Sequence, residues 1–148
     1  LNNVETFAWV PSIMLRAAEP QDATTATGEP APPGQWFRNS GTKKDIYGRR
    51  LLSISGDVAK PGVYEVPCGI LLGDLIKMAG GMRNGEALQA VALSGPSGGF
   101  LPAKLPKDAI RLDPKTLSQH PQLAADPTNV LMLPLDIVAA RAFNFMFG

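Results

Sequence analysis

The stretch SGDVAKPGVYEVPCG, Ser55–Gly69, decides the fold of this chain. Apolar and polar residues alternate over Leu52–Ser55 and again over Val63–Val66, which is typical of half-buried strands. Between these runs KPGV, Lys60–Val63, predicts a type II turn, because proline presets the first central position and glycine supplies the positive φ of the second. The stretch therefore predicts a β-hairpin, with Gly56 at a bulge or a close backbone approach.

The residues after the hairpin predict a helix and further strands. Apolar residues recur at helical spacing before the pair Gly80–Gly81, a natural C-cap. They are Leu71, Leu72, Leu75, Ile76 and Ala79. Residues 88–93 predict a third strand, which the glycine-rich loop Ser94–Gly99 joins to a short strand at 100–103. Asn129–Leu133 predicts a last strand. Hairpin, helix and strands together predict an α+β fold.

A helix is also predicted at the start of the chain. Asn2 or Asn3 caps it, since a short amide side chain accepts from the unpaired N–H groups of a first turn. Its apolar stripe consists of Phe7, Val10, Ile13 and Met14. Pro11 is expected to kink or restart the helix, which fades by Ala18.

The flanking segments have contrasting compositions. Glu19–Pro33 is rich in proline, alanine and threonine and predicts an exposed loop. Trp36 and Phe37 are interpreted as an anchor for the end of this loop, in preference to an aromatic platform for a ligand. Asp136 is predicted to cap a terminal helix that runs to about Phe147. That helix is apolar on almost every side, which predicts a neighbouring protein surface.

Composition limits the possible functions. The 148 residues suit one domain with flanks, and 45% are apolar. A net charge of +1 gives no footprint for nucleic acid. One cysteine and one histidine exclude a disulfide within these residues and a Cys/His metal cage. No apolar run is long enough to span a bilayer, and the expected location is cytoplasmic.

The candidate catalytic residues form no set. Ser94–Gly99, SGPSGG, lacks the pattern of a P-loop and is interpreted as a loop between strands. His120 lies in the polar context SQHPQ and is expected at the surface. Cys68 precedes a helix start and is interpreted as a half-buried thiol rather than a nucleophile. Carboxylates are scattered singly. We therefore expect no catalytic residue and no metal site in these residues.

Two stretches together carry a family resemblance. They are LNNVETFAWVP, Leu1–Pro11, and LLSISGDVAKPGVYEVPCGILLGDLIKMAGGM, Leu51–Met82. In this order they resemble the flavin-carrying, NADH-oxidising subunit of respiratory complex I. They equally resemble the diaphorase subunits of NAD-reducing hydrogenases and NAD-dependent formate dehydrogenases. In that family a V-N-N-V-E-T segment closes the flavin domain, and a soluble-ligand-binding β-grasp (SLBB) domain follows. The LPLD of Leu133–Asp136 resembles the segment that leads to the iron–sulfur domain.

The resemblance implies a ubiquitin-like β-grasp domain with flanking helices. Its implied organisation is a helix at 1–18 that closes the upstream flavin domain, an exposed linker with an aromatic anchor at 19–49 and the SLBB domain at 50–104. Residues 105–148 complete the domain and lead to a missing iron–sulfur domain. The long loop at 19–33 favours a formate dehydrogenase or hydrogenase diaphorase over complex I itself.

The resemblance also implies a function. The parent enzyme would pass electrons between NADH, FMN and iron–sulfur clusters, including a [4Fe–4S] cluster, and sit in the cytoplasm or on the cytoplasmic face of the inner membrane through other subunits. This piece would be a non-catalytic module between the flavin and iron–sulfur domains. Asn2, Asn3 and Thr6 would contact FMN, although the piece alone is not expected to bind a cofactor. The alternative is a stand-alone ligand-binding module of the polysaccharide-export or cobalamin type.

Overall fold

The computed structural model describes residues 3–16, 34–42, 46–107, 114–137 and 139. The helices are α1 (Val4–Arg16), α2 (Gln35–Asn39), α3 (Leu72–Met78), α4 (Pro114–Gln119) and α5 (Gln122–Ala125). The strands are β1 (Arg49–Ile54), β2 (Gly62–Pro67), β3 (Ala90–Ala92) and β4 (Phe100–Pro102). Short 3₁₀ turns lie at Arg83–Gly85, Gly95–Gly98 and Val130–Met132. Hairpin, helix and second hairpin follow one another, which confirms the α+β class and is consistent with a β-grasp.

The first hairpin pairs β1 with β2 in antiparallel register. Arg49 lies opposite Pro67, and Ile54 lies opposite Gly62. The predicted type II turn is wrong: Gly62 is already the first residue of β2 and has no positive φ, whereas Gly56 has a φ of 93°. The connection therefore runs over residues 55–61, too long for a four-residue turn.

This long connection is fixed by the carboxyl end of α3 rather than by its own turn geometry. The amide of Ala59 donates to the carbonyl of Gly81 over 2.9 Å, and the amide of Lys60 donates to that of Ala79 over 2.8 Å. Val58, in the same connection, is only 4% exposed. Because tertiary hydrogen bonds hold the backbone, the local preference of Pro61 and Gly62 for a type II turn is overridden.

The predicted glycine cap of α3 is confirmed. Gly80 and Gly81 have φ angles of 80° and 82°, a region that glycine enters without a steric penalty. The amide of Gly81 donates to the carbonyl of Ile76 over 2.9 Å, which closes the last turn in the manner of a Schellman motif. The helix therefore ends abruptly and frees the chain to return towards the second hairpin.

The core lies between α3, the first hairpin and the later segments. Its buried members are Val66, Ile70, Leu72, Leu75, Ile76, Leu105, Leu123, Val130, Leu133, Leu135 and Ala139. Close packing favours a glycine at position 73, because a Cβ there would lie only 3.0 Å from the carbonyl oxygen of Leu131 and would push that segment away. Leu72 and Leu133 are joined by a backbone hydrogen bond of 2.9 Å, so α3 is fastened to the segment that follows the 3₁₀ turn.

The second hairpin pairs β3 with β4, with Val91 opposite Leu101, and both predicted short strands are present. The predicted strand at 129–133 is wrong, because Val130–Met132 is a 3₁₀ turn. Asn129 begins this turn, and its Oδ1 accepts from the amide of Leu131 over 3.0 Å. A side chain that bonds its own backbone two residues later competes with strand pairing, which explains the difference.

Asp136 acts as the predicted cap. Its Oδ1 accepts from the amide of Ala139 over 2.9 Å, and Ile137 and Ala139 are helical. The rest of the predicted terminal helix, Asn2 and the predicted loop at 19–33 lie outside the described residues.

Candidate functional site

Helix α1 begins at an asparagine cap, as predicted. Oδ1 of Asn3 accepts from the amide of Glu5 over 2.7 Å and from that of Thr6 over 3.4 Å. Both Asn3 and Thr6 are exposed at this first turn. The side-chain oxygen of Asn3 is therefore committed to the helix, while its amide nitrogen and the hydroxyl of Thr6 are groups able to meet a partner.

One face of α1 packs on the rest of the protein. Oε1 of Glu5 accepts from the backbone amide of Leu51 in β1 over 2.8 Å. One turn later, the Trp9 ring lies 6.4 Å from the Trp36 ring and 5.5 Å from the Phe37 ring. The three aromatic rings form a cluster, since offset and edge-to-face pairs are the favoured arrangements. No local pattern in the sequence indicates that Glu5 and Trp9 hold this contact.

The same cluster reaches β1 through a close approach of ring and backbone. A Cβ at Gly48 would lie 2.4 Å from Cζ of Phe37, so only glycine fits there. The amide of Gly48 donates to the carbonyl of Phe37 over 3.1 Å, and the carbonyl of Gly48 accepts from the amide of Cys68 over 3.0 Å. Helix α2 is thereby fixed between α1 and the first hairpin.

The opposite face of α1 is apolar and exposed. Val4 is 83% exposed, Phe7 59%, Met14 66% and Leu15 74%. Most of the predicted apolar stripe falls on this outer face, whereas Ile13 turns inwards beside Gly34. A helix with apolar residues on two faces, only one of them covered, is suited to join two bodies of protein.

Cys68 is half-buried and follows directly after β2. Burial raises the pKa of its thiol, Arg50 lowers it, and the carboxylates of Glu5 and Asp136 raise it further. Its carbonyl accepts from both the amide and the hydroxyl of Thr42, over 3.1 and 2.9 Å. A raised pKa keeps the thiol protonated at neutral pH, which agrees with a packed thiol and not with an activated nucleophile.

His120 was wrongly predicted at the surface. It is fully buried, and its Nε2 lies 2.8 Å from Oδ2 of Asp136, which is 6% exposed. The polar neighbours of His120 in the sequence gave no sign of this burial, because its buried neighbour Asp136 lies outside that local context. Asp136 therefore has two structural roles: it caps the turn at Ala139 and it contacts His120.

The glycine-rich segment is a loop between strands, as predicted. It joins β3 to β4 through the 3₁₀ turn Gly95–Gly98, and a Cβ at Gly98 would overlap the carbonyl oxygen of Leu93. In the described ranges, no three histidine, cysteine or acidic side chains are placed to hold a metal ion. None of the helices described has both the length and the hydropathy to cross a bilayer.

Comparison with known proteins identifies the central domain. Residues 51–101 match the family described as the SLBB domain. The chain is 43% identical over 98 residues to the NAD-reducing hydrogenase HoxS subunit alpha of Cupriavidus necator, a match covering 66% of this chain and 13% of that one.

Two further relatives are also subunits of enzymes named for NADH or NADP. A subunit of the NADH-quinone oxidoreductase of Mycobacterium tuberculosis is 42% identical over 89 residues, covering 60% of this chain and 16% of that one. The NADP-reducing hydrogenase subunit HndC of Solidesulfovibrio fructosivorans is 35% identical over 105 residues, covering 70% of this chain and 18% of that one. The chain thus spans less than a fifth of each of these relatives. Residues 51–101 are an SLBB domain, and the chain is related to subunits of NADH-quinone oxidoreductases and of NAD- and NADP-reducing hydrogenases.

Proposed function

We propose that this chain is a segment of an NADH-oxidising flavoprotein subunit that passes electrons between NADH, FMN and iron–sulfur clusters. Within it, the segment is a non-catalytic module that holds the flavin and iron–sulfur domains in place. The relationship to hydrogenase and oxidoreductase subunits supports the parent activity. The raised pKa of the Cys68 thiol and the burial of His120 support a structural task, because neither group is presented as a reactive one.

The observation that carries the proposal is the two-faced helix α1. Its inner face is fastened to the SLBB domain through Glu5 and to α2 through Trp9. Its outer face leaves Phe7 59% and Met14 66% exposed. In the whole subunit we assign this outer face to the flavin domain, so that α1 acts as a rigid coupling between the two domains.

The first turn of α1 offers two groups for the flavin contacts. Oδ1 of Asn3 is used in the helix cap, which leaves its amide nitrogen and the hydroxyl of Thr6 to meet a phosphate or a ring edge. FMN bound in the whole subunit would supply the hydride and one-electron chemistry. Two exposed groups do not enclose a ligand, so the contribution of this segment is to orient one edge of the cofactor.

A replacement experiment tests the coupling. The matched region of the Cupriavidus necator alpha subunit is replaced by this chain, and hydrogen-dependent NAD reduction is measured with and without Phe7→Asp. We expect activity in the chimera and a loss of at least about tenfold with Phe7→Asp, because a buried unpaired charge is strongly unfavourable. Val63→Asp is the matched control, since Val63 is 64% exposed on β2. Equal activities of the Phe7→Asp and Val63→Asp chimeras would refute the coupling.

The chain alone provides a second test. We expect it to show no NADH–ferricyanide activity, and turnover in a clean preparation would overturn the non-catalytic assignment. The stand-alone alternative makes a different prediction, which is binding of cobalamin or an oligosaccharide by the chain in a calorimetric titration.

A further inference from the structure

A cleft of about 730 Å³ separates the two hairpins. Its lining includes apolar side chains of α3, among them Leu72, Leu75 and Ile76, together with Leu135. These four side chains belong to the hydrophobic core, so one wall of the cleft is continuous with the core. A concave site of this size with an apolar wall falls within the range of known binding pockets.

The β1 side of the cleft is an open strand edge. In an antiparallel pair, alternate residues direct their amide and carbonyl groups to the partner and away from it. The hydrogen bond from the amide of Cys68 to the carbonyl of Gly48 shows which residues of β1 bond to β2. By alternation, the backbone groups of Leu52 point to β2, and those of Leu51 and Ser53 point away from it. The amide of Leu51 confirms this direction, because it donates to the Glu5 carboxylate outside the sheet.

The β3 side is a second open edge. The amide of Ala103 donates to the carbonyl of Gln89 over 2.8 Å. By alternation, the backbone amide and carbonyl of Val91 also point to β4. Ala90 and Ala92 then direct their backbone groups away from β4. Residues of both strands line the cleft, and in the described part of the chain β1 and β3 belong to separate two-stranded sheets. Two edges with backbone donors and acceptors therefore border one space, an arrangement that favours an added strand.

The cleft is also acidic. Asp57 and Glu86 are among its lining residues, whereas no lysine, arginine or histidine of the described ranges lines it. The backbones of the two acidic residues meet near one end of the cleft. The amide of Arg83 donates to the carbonyl of Asp57 over 2.7 Å, and the carbonyl of Arg83 accepts from the amide of Glu86 over 3.2 Å. The whole chain has a formal charge of +1, so this negative lining is a local feature that complements a cation.

We propose that this cleft binds a short extended peptide that carries basic side chains. The peptide backbone pairs with the outer edges of β1 at Ser53 and of β3 at Ala90 and Ala92. Its apolar side chains lie on the core wall, and a basic side chain lies beside Asp57 and Glu86. This binding site is separate from the electron-transfer function proposed above, and its test does not depend on that function.

The test uses three labelled peptides and the 148-residue chain. The probe is fluorescein-labelled Val-Lys-Val-Lys-Val, followed by fluorescence anisotropy. The second peptide replaces both lysines by glutamate, and the third carries N-methyl groups on alternate backbone nitrogens. We expect saturable binding of the probe and a loss of at least about fivefold for each of the other two, since each lacks one of the two kinds of contact.

Chain variants locate the site. Ser53→Pro removes an amide from the open edge of β1 and leaves the β1–β2 ladder intact, so binding should fall about tenfold. Val63→Pro is the matched control on the far edge of the same hairpin and should bind as the original chain does. Asp57→Asn combined with Glu86→Gln should weaken the lysine peptide and not the glutamate peptide.

Two results would overturn the proposed peptide site. An absence of saturable binding overturns the proposal. Binding that withstands both N-methylation and Ser53→Pro also overturns it, because it indicates an apolar pocket without strand pairing. Far-UV circular dichroism shows whether Ser53→Pro folds; if it does not, the N-methylated peptide with the original chain decides.

Discussion

The two faces of α1 predict a large loss of stability for one aromatic truncation, Trp9→Ala, and almost none for another, Phe7→Ala. Trp9 makes two ring contacts, with Trp36 and Phe37. Each aromatic pair contributes about 0.5–1.5 kcal/mol beyond area burial. Full burial would put a tryptophan truncation at about 3–5 kcal/mol, and Trp9 is only half-buried. We therefore expect Trp9→Ala to destabilise the docking of α1 by about 2 kcal/mol.

Phe7→Ala is the matched control. Phe7 is 59% exposed in this chain, so its removal should change stability by less than about 0.5 kcal/mol. The contrast is informative because Phe7 belongs to the apolar stripe that the sequence predicts, whereas Trp9 does not.

Hydrogen exchange followed by mass spectrometry measures the effect locally. A loss of about 2 kcal/mol corresponds to an approximately 30-fold increase in the opening of α1, and exchange in residues 4–16 should accelerate accordingly. The first hairpin should keep its protection in both variants. The reasoning is refuted if Phe7→Ala accelerates exchange as much as Trp9→Ala, or if neither does.

Two further predictions concern buried groups. Asp136→Ala removes the cap at Ala139 and the oxygen 2.8 Å from Nε2 of His120, so urea denaturation should show a loss of about 2–4 kcal/mol. Asp136→Asn keeps a capping oxygen and should lose clearly less; equal losses would contradict this account. For Cys68, burial raises the thiol pKa against the lowering by Arg50, so iodoacetamide should react more slowly at about pH 8 than with the urea-unfolded chain. The folded state favours the neutral thiol, so this contribution to stability is complete below the unfolded pKa and declines as pH rises through the folded pKa. Equal alkylation rates would argue against the burial.

The elements that could be predicted from the sequence are those whose signals are local and repeated. The hairpin strands alternate with period two, and α3 combines helical spacing with the glycine pair at Gly80 and Gly81, which the structure uses as its cap. Helices α4 and α5 were not predicted. They have six and four residues, too few for a helical period to appear.

Other features depend on contacts that no local pattern encodes. The apolar run at 130–132 fits a strand or a turn equally, and the side chain of Asn129 selects the turn. The predicted surface position of His120 was wrong because it rested on the polar residues next to it, whereas in the fold His120 is buried beside Asp136. The flavin contacts were predicted from the family resemblance alone. The structure adds to that prediction that Asn3 and Thr6 are exposed.

The hydrogen bond between Glu5 and the amide of Leu51 also bears on self-association. A strand edge with open amides is a template for another chain, and a charge placed on it is a common natural defence. Glu5 supplies that charge at Leu51, the beginning of the outer edge of β1, and leaves the amide of Ser53 open to the short peptide proposed above. We expect a chain shortened to begin after α1 to expose the Leu51 amide as well, and therefore to self-associate more readily through β1 than the longer chain does.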